Sequence, residues 1–309
     1  MNKLLSIFIT LSFIYLSGCT EDTDDLIESL DNACIISEFN DGGDIANFIY
    51  NSEYVLESIE LSFYETSCSS IGGGPLVCDS TLVKEELQFI YTDEQITSAK
   101  LLEDGVISSI DLLISYNDKD QLSKLTFSDD EDGFDYVDEY RFSYNSADQL
   151  VKVENFFSNS QSAMLMLNGY ETYEYEQNNI TKVSYYYENF NNRKARKNQT
   201  KFFGNKPLTK SNKEPELGST AQITYDEKIN PFKGNVPYLI YSQSFRLFVN
   251  ENNPTFFEET STGEDPSSYS VTYDYIYNNE NYPISAVYSY SEDGVNDGKE
   301  QASLGYQCE

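Results

Sequence analysis

Fifty-two aspartate and glutamate side chains and not one histidine set the chemistry open to this 309-residue chain. Without histidine there is no Ser-His or Cys-His nucleophile and no histidine metal ligand, which excludes many hydrolases and most zinc enzymes. What remains is carboxylate chemistry, in which a protonated acid and an ionised one share general acid and base work on a glycan or peptide. Among so many acids no pair stands out by spacing, so no catalytic residue is assigned. The absence of tryptophan leaves any sugar stacking to the 26 Tyr and 19 Phe.

The acids fall once into a metal-like spacing. Ser128, Asp130, Asp132 and Glu139 hold the first, third, fifth and twelfth places of a calcium loop, with Gly133 at the sixth. Serine replaces the first acid, Asp135 stands where an apolar residue belongs, and strand-like sequence flanks the segment. A polar hairpin turn is therefore the preferred reading, with calcium as the one cofactor alternative. The acidic stretch 291–298 reads the same way.

Five cysteines divide into one and four. Cys19 closes Leu16-Ser17-Gly18-Cys19, after Lys3 and an apolar run of about thirteen residues, too short for the ~20 of a spanning helix. That order predicts a signal peptide over 1–18, cleaved at a lipobox so that Cys19 carries the lipid. Cys34, Cys68, Cys78 and Cys308 make an even set for an oxidising compartment. Cys68 with Cys78, around Gly72-Gly73-Gly74-Pro75, and Cys34 with Cys308 are the favoured pairings of three possible. No CxxC spacing argues for a thiolate metal site.

Losing residues 1–18 removes one lysine and no acid, leaving 52 acidic against 19 basic side chains, a charge of −33. Such a surface disfavours nucleic acid as a partner. Residues 19–33 read as a lipidated cysteine followed by an acidic, solvated tether, and 34–309 as a single domain. Within it, 188–218 reverses the charge: Arg193, Lys194, Arg196, Lys197 and Lys201 begin a basic run that extends to Lys213. A solvated loop between strands is preferred there, with docking to lipopolysaccharide, acidic glycan or another anionic partner as the functional alternative.

The elements carrying these residues read as strands. Tyr140, Phe142 and Tyr144 alternate with Arg141 and Ser143, and Val271, Tyr273, Tyr275 and Tyr277 with Thr272 and Asp274. A degenerate repeat overlies the alternation, in which a strand ending in tyrosine meets a polar turn and then a strand opening with Leu or Ile. It runs from Tyr91 to Ile96, Tyr116 to Leu122, Tyr144 to Leu150, Tyr175 to Ile180 and Tyr277 to Ile284. The predicted fold is all-β, an antiparallel meander of repeated hairpins forming a rolled sheet or barrel-like domain.

These hairpin units resemble the YD repeats of Rhs-type proteins, without their regular turn glycine. The chain as a whole resembles a family of Bacteroidota lipoproteins of unknown function with a porin-like β fold. The likeness covers most of 34–308 and rests on the tyrosine hairpins, on Tyr225-Asp226-Glu227-Lys228-Ile229-Asn230-Pro231-Phe232 and on Gly305-Tyr306-Gln307-Cys308. It implies no catalytic residue. Glu21, Asp22, Asp24 and Asp25 also resemble the acidic export signal of surface-exposed lipoproteins of that phylum.

A period of two does not separate a soluble barrel from a membrane barrel. Strands of about six to eight residues, charges in mid-strand and the terminal Glu309 favour the soluble form. The expectation is a disulfide-tied lipoprotein, held at the outer membrane or cell surface by its lipid, that binds or scaffolds an envelope protein or glycan. The alternatives are a carboxylate-dependent hydrolase of extracellular glycan or peptide and a calcium-dependent adhesin.

Overall fold

The computed structural model describes residues 34–41, 44–69, 77–129, 136–159, 162–187, 215–233, 236–242, 249–263 and 266–308. Among them sixteen strands form one closed antiparallel barrel, each strand paired to its sequence neighbours and the first to the last. The first eight are β1 (Cys34–Asp41), β2 (Asp44–Tyr50), β3 (Leu56–Ser69), β4 (Val77–Thr92), β5 (Gln95–Glu103), β6 (Val106–Tyr116), β7 (Leu122–Asp129) and β8 (Tyr136–Tyr144). The others are β9 (Leu150–Asn159), β10 (Ser162–Glu176), β11 (Asn179–Tyr187), β12 (Glu216–Tyr225), β13 (Pro254–Ser261), β14 (Ser268–Tyr277), β15 (Pro283–Glu292) and β16 (Val295–Cys308). A short helix, α1 (Val236–Ser242), lies between β12 and β13.

The meander is thus a closed barrel, and closure removes both sheet edges. One sequence expectation is corrected. Several strands exceed the anticipated six to eight residues: β3 and β16 have 14, β10 has 15 and β4 has 16. Strand length therefore does not argue against a membrane barrel, and the decision falls to which residues face outward.

The tyrosine repeat has a single structural cause. Strands β2, β4, β6, β8, β10, β12, β14 and β16 all run toward the end of the barrel where β1 begins, here termed the near end. Close to that end each carries a tyrosine. Tyr50, Tyr91, Tyr116, Tyr144, Tyr175, Tyr225 and Tyr306 donate their hydroxyls to the carbonyl oxygens of Ile36, Leu56, Ile96, Leu122, Leu150, Ile180 and Pro283, at 2.7 to 3.1 Å. Each bond joins a strand to the one before it, at the end opposite their loop. Tyr277 departs from the rule and donates to the Asp226 carboxylate, because the β12–β13 connection occupies the place of a tight turn.

The near-end turns explain the asparagines that follow several of these tyrosines. Asn51, Asn117, Asn145 and Asn278 each accept, through Oδ1, the amides two and four residues on. Three residues beyond each asparagine the chain turns left-handed, at Tyr54, Asp120, Asp148 and Asn281 (φ 57 to 67°). Asn and Asp tolerate that conformation better than most residues, and the side-chain bonds fix the loop, so the repeat dispenses with glycine.

Inside the near half lies the apolar core, with Ala46, Ile59, Leu125, Ile180, Val183, Ala221 and Ala286 at zero exposure. The β12–β13 connection adds Phe232, Leu239, Ile240 and Val249 to the same cluster, and the Phe232 ring meets Phe39 of β1 edge-on at 6.3 Å. Two of its buried asparagines are paired where they enter the core. Asn250 accepts the Ile180 amide (2.6 Å) and donates to Tyr225 (2.7 Å), and Asn230 donates to the Asn250 carbonyl (2.9 Å).

Candidate functional site

Following the inward face of a strand away from the near end, the lining changes from apolar to polar. On β8 the order is Phe142, Tyr140, Asp138; on β10 it is Tyr173, then Glu171; on β16 it is Leu304, Ala302, then Glu300. Alternation dictates this, since each polar residue shares the parity of the core residues that precede it.

Two polar walls result. On β8 to β10, Asn155 donates to Asp138 at 3.4 Å, Asn168 donates to Asn155 at 2.7 Å and Tyr173 donates to Glu171 at 3.0 Å. Burial pushes the Asp138 carboxyl up to about 6 against the opposing effect of its Asn155 bond. Burial, followed by the Asp138 and Glu171 charges, pushes Tyr140 well above its ordinary range. On the other wall, Tyr290 of β15 donates to Glu300 of β16 at 2.7 Å. Asp41 of β1 is raised to about 6 by burial and then by the Glu300 and Asp44 charges. The far half of the bore is therefore acidic and phenol-rich.

The outer wall is polar along mid-strand positions. Lys84, Gln88, Lys100, Asp111, Thr272 and Gln301 face out in alternation with core residues. Outward apolar side chains such as Leu113, Ile90 and Ile276 stand among serines and charged groups. On β7 to β9, Glu139 is buried beneath Arg141 (2.6 Å) and Lys124 (3.6 Å), and the Arg141 guanidinium lies 4.1 Å above the Phe156 ring.

The residues singled out in the sequence are placed unequally. The backbone register sets Cys34 opposite Cys308 where the barrel closes, and Cys68 opposite Cys78 in the β3–β4 hairpin. Of the calcium-loop positions, Ser128 lies on β7 opposite Val137, and Glu139 is engaged by Arg141 and Lys124. Asp130 and Asp132 lie outside the described residues, as do Cys19 and the basic positions Arg193, Lys194, Arg196, Lys197 and Lys201. No group of three or more potential ligands for a metal occurs among the described residues. Asp138, Asn155, Asn168 and Glu171 escaped sequence reasoning, although extending the Tyr140-Phe142-Tyr144 face back by two residues arrives at Asp138.

Neither a protein-family model nor a curated protein sequence matches the chain. It is similar to a solved porin-like protein from Bacteroides uniformis at 12% identity and a TM-score of 0.52, over 88% of this chain and 98% of that one. A porin-like protein from Bacteroides vulgatus aligns at 9% identity and a TM-score of 0.35, over 89% of this chain and 99% of that one. The first likeness is one of fold alone.

Proposed function

We propose that the chain is a lipid-anchored cell-envelope protein that works by binding a ligand or partner at the far end of its barrel, not by conduction or catalysis. The observation that carries this reading is the distribution of polarity. Sixteen strands enclose enough space for an aqueous channel, yet here apolar side chains and the β12–β13 connection fill the near half. In the far half the described inward side chains are acids, amides and phenols that bond one another, whereas the near-end tyrosines and asparagines close their hydrogen bonds on backbone and on each other within the core. Among the described residues the outward positions form no continuous apolar band or aromatic girdle of the kind a lipid-spanning barrel presents, and in this reading lipid on Cys19 supplies the attachment. Bridges between Cys34 and Cys308 and between Cys68 and Cys78 tie the barrel seam and the hairpin.

Two measurements test it together. Protein beginning at residue 20 is expected to stay monodisperse without detergent and to give no unitary conductance in planar bilayers. A detergent requirement or ohmic channels would overturn the reading. Labelled fatty acid incorporated by the full chain, and lost in Cys19→Ser, tests the anchor.

One observation favours a second reading, hydrolysis by a carboxylate pair: Asp138 retains its proton to about pH 6 on the wall that also carries Glu171. Turnover of a glycan or peptide that disappears in Asp138→Asn would establish it. Docking of anionic glycan by the basic run and calcium binding over 128–139 are lesser proposals. Binding lost on neutralising the run, and a melting temperature lowered by chelator, would respectively support them.

A further inference from the structure

We propose that the inner wall around Asp138 recognises an organic cation, an ammonium group carried on a compact apolar or sugar body. This rests on the reading of the far bore as a binding compartment.

The register sets Phe127 of β7 and Phe157 of β9 directly opposite Asp138 on either side. Tyr136 and Tyr140 share its face two residues before and after, so four aromatic side chains border one carboxylate. They meet in pairs: Phe127 and Tyr140 edge-on at 6.0 Å, Tyr136 and Phe157 at 6.2 Å with their planes inclined 35°. The carboxylate is held in place by Asn155, itself fixed by Asn168. Among the described residues no lysine or arginine pairs with Asp138. The nearby cations Lys124, Arg141 and Lys152 lie on the outer wall and are engaged by Glu139 and Glu154.

A carboxylate taken out of water without a cationic partner is costly, and a ligand bearing that charge relieves the cost. Aromatic faces attract a cation further, most strongly when it is weakly hydrated. A hard metal ion wants several oxygen ligands, whereas this frame offers one carboxylate among rings, which suits an alkylammonium. The formal charge of −32 draws cations toward the molecule.

Choline and its uncharged carbon isostere 3,3-dimethylbutan-1-ol serve as probes, with binding to the folded protein measured by calorimetry and by shifts of assigned aromatic resonances. Saturable choline binding is expected, with the isostere at least about tenfold weaker, the effect of one ~1.4 kcal/mol charge interaction. Asp138→Asn should lose a similar factor and Phe157→Leu several-fold, while Asp111→Asn on the outer wall leaves binding unchanged. Equal affinity for the isostere, or choline binding unaltered in both Asp138→Asn and Phe157→Leu, would overturn the proposal. If choline then still shifted Tyr290 and its binding fell in Glu300→Gln, the compartment would stand and this site alone would fail. An absence of saturable binding together with channel conductance would sink both.

Discussion

Tyr144 of β8 places its hydroxyl 2.8 Å from the carbonyl oxygen of Leu122, the first residue of β7. The two strands are joined by their loop at the far end, so this bond secures the end that the loop does not. The same relation recurs around the barrel, which makes the tyrosine repeat a structural ring at the near end. Tyr144→Phe should keep the ring buried but leave the carbonyl unpaired, lowering stability by about 1 kcal/mol. Tyr64→Phe, on an outward ring 63% exposed, should change it negligibly. Urea unfolding of both variants checks this, and equal midpoints would contradict the stapling role.

The hairpin repeat was legible in the sequence because its cause is local. A tyrosine on the buried parity, an asparagine that folds its own turn and an aliphatic opening the next strand all fall within about eight residues, from Tyr144 to Leu150 for instance. Closure into a barrel was not legible, since pairing of β1 with β16 joins Ile36 to Tyr306 across nearly the whole chain. The Asp138 wall was hidden for a different reason. Its members Asp138, Asn155, Asn168 and Glu171 come from three strands; the first two and Glu171 are unremarkable polar residues until alternation shows which way they face, and Asn168 reaches Asn155 from the register shift between Leu167 and Gly169, which no local pattern announces.

Two glycines offer a test of how tightly β10 to β12 are packed. A Cβ at Gly218 would lie 2.4 Å from the Tyr187 ring, and one at Gly169 would lie 2.5 Å from the Tyr186 carbonyl oxygen. Both Gly→Ala changes should destabilise by about 1 to 3 kcal/mol through overpacking. The obstacle at Gly218 is a side chain, so Tyr187→Leu should restore most of the loss in Gly218→Ala. At Gly169 the obstacle is backbone, and the same substitution should not help. Thermal unfolding of the two double variants distinguishes the cases.

Burial raises Asp41, helped by Glu300 and Asp44, and burial also raises Asp138, each to about 6 from an ordinary 3.8. The folded protein then binds more protons than the unfolded chain between about pH 4 and 6. Stability from these groups is present below about pH 4 and lost as pH rises through about 6. Their removal as charges should therefore help most at neutral pH. Asp41→Asn with Asp138→Asn is expected to raise stability at pH 7.5 by up to a few kcal/mol and to confer little at pH 4.5. The difference between wild-type and double-variant urea midpoints across that range is the measurement. A constant difference would show that neither carboxyl is perturbed.

The two proposed bridges should differ in what they contribute, because they close very different lengths of chain. Residues 64–69 and 77–82 pair with each other beyond the last contacts of β3 with β2 and of β4 with β5, so the backbone register sets Cys68 opposite Cys78 on a projecting ribbon. Closing a loop of about ten residues restrains the unfolded chain by roughly 3 kcal/mol, and that ribbon can open while the barrel stays intact. The backbone register sets Cys34 opposite Cys308 at the seam, and linking them would close almost the entire barrel, with a chain-entropy effect of roughly 5 kcal/mol. Replacing both Cys34 and Cys308 with serine should thus lower the global urea midpoint well below that of the Cys68, Cys78 double serine variant. The latter should instead show faster amide exchange confined to 64–69 and 77–82. Four free thiols titrated in the mature, unreduced protein, or equal midpoints for the two variants, would refute this division of labour.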